Sequence, residues 1–534
     1  MNRLDIGGFV SDVKNRLLLI LTMLIIATFS AFSDSSLIIA DDIDDTVVTD
    51  NGNRKTGISP SGTLPVIYIN VYQDNNLNFE FDDEIIDRNL NHKNYFNGFY
   101  WMEVPEGFDN IEPVGSKESP LSLKIKARGN FTFTAFSKKS YKLKLSDPQN
   151  LLGLTIPGSR HYALLAHADD KYSYLRNFTG FELGKMIGLP WVPSSYPVEV
   201  VINDDYRGIY FLTESVRVEE GRIDIEPLED KCEIPDYVSG GYVVELDYKR
   251  EENQIVIDNE HKFDTEVYYR PLMITFSSPE KLSGIQKEFI SNQFEYMNML
   301  ISSGSDEMWS YIDIDDAVRY YIVCELLGHS EAFHGSTFMH RDRGENQKWH
   351  YSPLWDLGQS FNEPVNTYIC SETCAFGYTW WLPEFRENER FSEKVRNTWN
   401  WFITTHYSKI WEKIDTFLEC IADAAKQDSL RWKDAPLPDS KNVTYVVDNS
   451  DIYSGFNMMA EYLNNRVDWL SNEFGLDWNE IYEEPERDSL SEVEASDSLE
   501  STLYYNLLGM KVNNPTKGEI YIKISSKGRH KIIF

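Results

Sequence analysis

The run Lys348-Trp349-His350-Tyr351-Ser352-Pro353-Leu354-Trp355-Asp356-Leu357-Gly358-Gln359-Ser360-Phe361-Asn362 brings an apolar stretch to one carboxylate and then to a glycine turn. A turn of that kind fixes the carboxylate and leaves coordination positions open for water and phosphate oxygens, as magnesium sites require. Upstream, Ser330-Glu331-Ala332-Phe333-His334-Gly335-Ser336 follows the end of an expected helix. Glu331 and Asp356 together have the chemistry of a base and a metal ligand, although two carboxylates at arbitrary separation are common.

Basic residues gather earlier, at Arg128-Gly129-Asn130 and at Lys138-Lys139-Ser140-Tyr141-Lys142-Leu143-Lys144. A glycine between short strands lets backbone amides approach a ligand, and lysines alternating along the next strand set two ammonium groups on one face. Those are the parts of a phosphate clamp, and the same alternation also describes the wet face of a sheet. A third cluster, His161-Tyr162-Ala163-Leu164-Leu165-Ala166-His167-Ala168-Asp169-Asp170, leads into Leu175-Arg176-Asn177. Asp170 or Ser173 suits the cap of the helix that follows. Arg176 and Asn177 suit the holding of a loop or of an anion.

These clusters need rigid elements beneath them. Pro65–Val71 reads as a strand from its β-branched content, while Leu121–Lys126 and Tyr141–Leu145 alternate with period two, as half-buried strands do. Ser173–Ile187 carries a helical pattern, and strands are expected at Val198–Ile202, Ile209–Thr213 and Tyr242–Leu246. From about residue 280 the spacing turns helical, over Gly284–Ser303, Ile314–Gly328, Glu393–His406 and Tyr407–Ala425. The expected class is α+β, a strand-rich part followed by a helical part. The composition divides the chain into 1–33, an acidic linker at 34–63, a main domain at 64–480, an acidic serine-rich linker at 481–502 and a small β-rich tail at 503–534.

The chain has 534 residues, 42% of them hydrophobic, enough for a large core and for more than one unit. Its net charge of -34 repels nucleic acid and anionic membranes. A nucleotide site must therefore be a local basic pocket in a negative molecule. Lys14 and Arg16 precede an apolar run from Leu17 to Phe29 and the small residues around Ala31 and Ser33. That order is a secretory signal, with an uncleaved anchor as the alternative, and no cysteine near its end suggests lipid attachment. Export permits disulfides. Cys370 and Cys374 are close enough to close a small loop, and Cys324 and Cys420 read as buried, inert thiols.

In order along the chain, R-G-N, K-K-S-Y-K-L-K-L, L-L-G-L, Y-A-L-L-A-H-A-D-D, L-R-N, V-E-V-V-I-N-D-D-Y-R-G-I-Y-F-L-T-E, G-G-Y-V-V-E-L-D and P-L-W-D resemble the CotH kinase family, from about Arg128 to Asn362 with compatible flanks from 64 to 475. The resemblance implies an atypical protein-kinase-like fold with a strand-rich N-terminal lobe and a helical C-terminal lobe. The implied protein is secreted or surface-bound and transfers the γ-phosphoryl group of ATP, with Mg2+ or Mn2+, to serines of an extracytoplasmic protein. By position, Lys142 or Lys144 contacts phosphates, Lys144 being preferred because it ends the strand. Glu214 closes the strand that resembles the kinase hinge, near the adenine. Asp356 matches the metal-binding aspartate. Glu331 stands where the family commonly has its catalytic aspartate, and Ser336 where kinases often place a second metal ligand. Both are departures from the usual residue types at those places.

The tail, Tyr504–Val512 with Asn514-Pro515, Lys517-Gly518 and Ile520–Ile522, resembles short β-rich tails that direct proteins through an outer-membrane secretion system. Two competing readings use the same residues. One is a non-catalytic surface or adhesion protein on this fold. The other is a glycan-active enzyme with Glu331 and Asp356 as paired carboxylates roughly 5–10 Å apart and no lysine between them.

Overall fold

The computed structural model describes residues 57–72, 94–108, 111–170, 172–247, 254–257, 272–329, 332–333, 335–361, 381–435 and 451–488, together with the strand backbones at 260–263, 266–269, 503–505, 511–512, 520–525 and 528–533. β1 (Val66–Val71), β2 (Phe96–Glu103), β3 (Leu121–Arg128), β4 (Ser140–Gln149), β5 (Ser159–Leu165), β6 (Ser195–Ile202) and β7 (Asp205–Glu214) close into a barrel in the order β1-β2-β3-β4-β5-β7-β6. β1 closes it by pairing parallel with β6, Val66 opposite Glu199 and Ile69 opposite Ile202. Period two fills the interior: Tyr141, Leu143 and Leu145 of β4 pack against Leu123 and Ile125 of β3 and Tyr162 and Leu164 of β5. The intervening Lys142 is half-buried and Lys144 exposed on the outer face. The β6–β7 hairpin turns on Asn203 and Asp204, both at positive φ, the conformation a two-residue hairpin needs.

A short helix, α1 (Phe131–Ala135), links β3 to β4, and α2 (Leu175–Ile187) links β5 to β6. Next come β8 (Tyr242–Asp247), β9 (Ile255–Ile257), the separate pair β10 (Glu260–Phe263) and β11 (Glu266–Tyr269), and β12 (Leu272–Ser278). With β13 (Thr337–Arg341) and β14 (His350–Tyr351) they complete a five-stranded sheet ordered β14-β13-β8-β12-β9. The helices are α3 (Gly284–Ser302), α4 (Ile314–Leu327), α5 (Leu382–Glu387), α6 (Glu389–Phe402), α7 (Lys409–Trp432) and α8 (Ile452–Glu473). A strand-rich N-terminal part followed by helices is the order the patterning implied.

The helices pack into a second, larger core around α4, every residue of which is buried. α3 opens with a capping box, Ser283 Oγ accepting from the Gln286 amide at 3.3 Å and Gln286 Oε1 accepting from the Ser283 amide at 2.6 Å. α8 is unforeseen in the patterning above, although its buried residues Met459, Leu463, Val467 and Leu470 recur at helical spacing. α7 lies against β7 at Gly208, where an added Cβ would sit 1.7 Å from Asp428 Oδ1, so only glycine allows the approach.

The last strands, β15 (Leu503–Tyr505), β16 (Lys511–Val512), β17 (Ile520–Ser525) and β18 (Gly528–Ile533), pair antiparallel in the order β16-β15-β17-β18. The expected signal at 14–33, Cys370 and Cys374 lie outside the described residues. Cys324 is a buried free thiol and Cys420 a half-buried one, both pushed up by burial, as an inert thiol should be. Among the described residues no helix is long and apolar enough to cross a membrane.

Candidate active site

Where β3 ends, β4 begins and β5 ends, the barrel rim faces the start of α2 and the turn after β14, and a small cleft of about 80 Å³, open to solvent, forms between them. Three of the clusters read from the sequence meet here. Arg128 and Gly129 come from the basic runs, Asp169, Arg176 and Asn177 from the cluster that opens at His161, and Trp355, Asp356 and Gly358 from the run 348–362.

Asp356 is exposed and sits in the left-handed region at φ 56, ψ 54, a conformation that costs a non-glycine residue roughly 1 kcal/mol. Its surroundings hold it there. The Leu357 amide donates to Asn177 Oδ1 at 3.2 Å. Arg176 Nε donates to the Ser360 carbonyl at 2.9 Å, and its Nη1 to the Asp169 carbonyl at 3.0 Å. The buried Arg176 guanidinium thus ties the loop after β5 to the turn that carries Asp356.

The two adjacent aspartates of that loop are treated differently. Asp170 is buried and caps α2, its Oδ1 accepting from the Tyr172 amide at 2.9 Å and its Oδ2 from the Arg176 amide at 3.0 Å. Burial pushes its carboxyl up, but His167, the Arg176 guanidinium and the Arg176 amide outweigh that and hold it below the usual range. Asp169 is half-buried and shifted the other way, upward, by burial first and then by Asp170 and Asp356, against the pull of Arg176.

Arg128 lies with its guanidinium carbon 5.0 Å from the Trp355 ring centre. Burial lowers its pKa, while Asp356 and Glu245 favour its charge. Lys142 belongs to the same outer face, opposite Lys126, and is lowered by burial and by Lys126, Arg128 and Arg217. His161, on the neighbouring strand, is lowered to about 3 by burial, Arg217 and the lysines of β4. A basic face therefore adjoins the cleft in a chain whose net charge is -34.

Not every residue singled out from sequence is brought to the cleft. Lys142 and Lys144 are not among its lining residues, and Lys144 is exposed opposite Lys124. Glu214 is buried three residues along the β5–β7 ladder from the rim, opposite Tyr162. Its carboxylate accepts from Thr155 Oγ1 at 2.5 Å and the Ser194 amide at 2.8 Å, with Arg222 Nε 3.5 Å away. Burial raises it, against Arg222 and Thr155. Ser336 is half-buried, at φ 46, in the turn before β13. Glu331 lies outside the described residues.

Three cleft residues went unassigned in the sequence. Lys138, part of the lysine run, pairs with Asp428 of α7 at 2.7 Å, and Asp428 in turn accepts from Tyr174 Oη at 2.7 Å. His167, at φ 51, is buried with its ring 4.1 Å from that of Phe211 and its Nδ1 3.7 Å from Asp170 Oδ2. Asp169 is the third, and the only hint of it was the paired aspartates at the end of a strand.

A separate trio, Asp313, Asp316 and His350, has ligand atoms within 4.8 Å of one another. It lies at the N-terminus of α4, where Asp313 caps the helix by accepting from the Asp316 amide at 3.0 Å. The sequence model of a family described as CotH kinase protein matches residues 125–470, more than half of the chain and the whole of the cleft. No curated protein matches the chain.

Proposed function

Because the chain belongs to the CotH kinase protein family, we propose that it is an exported phosphotransferase that moves the γ-phosphoryl group of ATP to a serine hydroxyl of an extracytoplasmic protein. The observation that carries this reading is the meeting of Arg128 and Asp356 in one cleft, beside a basic face, in an otherwise strongly acidic chain. In the reaction the serine oxygen bonds to the γ-phosphorus, the bond to the β–γ bridging oxygen breaks, ADP leaves, and the hydroxyl proton passes to a carboxylate. Glu331 fills that last role by its place in the sequence pattern.

The site's residues suit a divalent cation. Asp356 offers hard oxygen donors in a strained, braced turn. The absent side chain of Gly358 leaves a cradle, since a Cβ there would lie 3.2 Å from Asp169 Oδ2 and 3.8 Å from Asp356 Oδ1. Asp356 would hold Mg2+ or Mn2+, which when bound neutralises phosphate charge and orients the oxygens. Arg128 supplies a fixed positive charge at the barrel rim, and Lys142 adds another on the adjoining face. Arg176 and Asn177 keep the Asp356 turn in place, and Trp355 covers one side of the Arg128 guanidinium.

Export is supported by the basic–apolar–small order of residues 14–33, and passage through outer-membrane secretion machinery by the pattern of the tail. The test is transfer of labelled γ-phosphate by the purified chain with Mg2+ or Mn2+, beside Asp356→Ala. Incorporation that falls about 100-fold or more in the variant is expected. No incorporation with either metal, together with no rise in melting temperature on adding ATP, would overturn the reading and leave a non-catalytic surface protein in its place.

A further inference from the structure

We propose that Asp169 is a second carboxylate ligand, with Asp356, of the divalent cation in the cleft, an inference that rests on the phosphotransferase reading above. The two side chains arrive from different parts of the fold, Asp169 from the loop after β5 and Asp356 from the turn after β14. Both have an oxygen facing the point where Gly358 lacks a side chain, at 3.2 Å for Asp169 Oδ2 and 3.8 Å for Asp356 Oδ1 from the position of a Cβ. The same arginine braces both approaches, through the carbonyls of Asp169 and Ser360.

Two like charges converging in a half-buried cleft repel one another. Neither carboxylate forms a salt bridge among the described residues, whereas the neighbouring Asp170 is saturated by two amides. A hard divalent cation placed between them would convert the repulsion into attraction, and oxygen donors are the set that Mg2+ and Mn2+ prefer.

A second observation points to a ligand in the same place. His167 lines this cleft, is 7% exposed, and its Nε2 has no hydrogen-bond partner among the described residues. A buried ring nitrogen left unpaired is costly unless something binds there. With Nδ1 turned toward Asp170, Nε2 remains for a phosphate oxygen of the metal-bound nucleotide or for a water of the cation.

The experiment measures Mn2+ binding to the full chain by loss of the free-ion electron paramagnetic signal, with and without ATP, in the parent, Asp356→Ala, Asp169→Asn and Asp169→Glu. Melting in chelator establishes that each variant is folded. Asp169→Asn is expected to weaken Mn2+ binding about 10-fold or more, to melt no lower than the parent in chelator because the repulsion is gone, and to lose the melting rise that Mn2+ gives the parent. Asp169→Glu restores part of the binding by restoring a carboxylate, and it stands as the test should Asp169→Asn fail to fold. Parent-like Mn2+ binding in Asp169→Asn beside its loss in Asp356→Ala would overturn the inference and leave the phosphotransferase reading intact. Absence of Mn2+ binding by the parent, with ATP present, would overturn both.

Discussion

At the start of α4, Asp313, Asp315 and Asp316 crowd one helical turn much as Asp169 and Asp356 crowd the cleft, yet the two sets meet opposite surroundings. Asp313 accepts from the Asp316 amide, and Asp315 and Asp316 are matched by cations from within the chain. Lys394 Nζ reaches Asp315 at 2.8 Å, the Asp488 amide donates to Asp315 at 2.7 Å, and His350 Nδ1 and Arg487 Nη1 lie 2.7 Å and 3.3 Å from Asp316. The helix N-terminus adds partial positive charge beneath all three. In the cleft, Asp169 and Asp356 face each other with no salt bridge among the described residues, and the nearby guanidinium of Arg176 is turned to carbonyls. Density of acid alone does not distinguish the two sets; how far cations of the chain reach it does. Cations that close the α4 cluster come partly from 484–488, a stretch whose composition reads as linker but whose Arg487 also donates to the Gly188 carbonyl at 2.6 Å.

The contrast between matched and unmatched charge can be broken in several ways. The most closed pair is Arg466 of α8 with Glu325 of α4, both 0% exposed. Arg466→Met removes the guanidinium that matches this buried carboxylate and should cost about 3–5 kcal/mol, read from the denaturant midpoint. A loss near zero would mean that matching inside the helical core carries little weight. At the α4 cluster, Asp316→Ala removes the partner of His350 and Arg487 and should cost about 1–2 kcal/mol. That cost should be the same with and without chelator. A loss that disappears in chelator would show that the trio with Asp313 and His350 holds a metal, and the contrast with the cleft would collapse.

The smallest effect concerns the unmatched positive face beside the cleft. His161 is lowered to about 3 by burial and by Arg217, Lys144 and Lys142. Above its ordinary value of 6.5 it is neutral in both states and contributes nothing. As pH falls through that value the unfolded chain takes up a proton that the folded chain refuses, so stability is lost progressively toward pH 3. His161→Gln should flatten the stability slope between pH 6.5 and 4 and leave the midpoint at pH 8 unchanged. An unaltered slope would mean that His161 is protonated on the folded surface.

Five of the seven barrel strands (β1, β3, β4, β6 and β7) and most helices were legible because their signals are local. Period two set Tyr141, Leu143 and Leu145 inward and Lys142 and Lys144 outward, and helical spacing marked Gly284–Ser303, close to α3. Family membership was equally legible, since it rests on ordered motifs. The charge roles were not. Lys138 sits in a lysine run that suits a phosphate clamp, but its partner Asp428 is 290 residues away. Asp170 was legible as one candidate cap of α2, but nothing in the order of two adjacent aspartates says that Asp169 faces the cleft.

By itself the sequence determined the order of a strand-rich part before a helical one, the apolar faces of the elements it read, the net charge of -34 and the family. Each of those depends on residues close together in the chain or on composition. Only the tertiary structure decided which charges are neutralised. That outcome depends on the parallel closure of β1 on β6, the packing of α7 on β7 and the return of Arg487 to α4. Coulomb attraction and desolvation act through space at a few ångströms, whatever the separation along the chain.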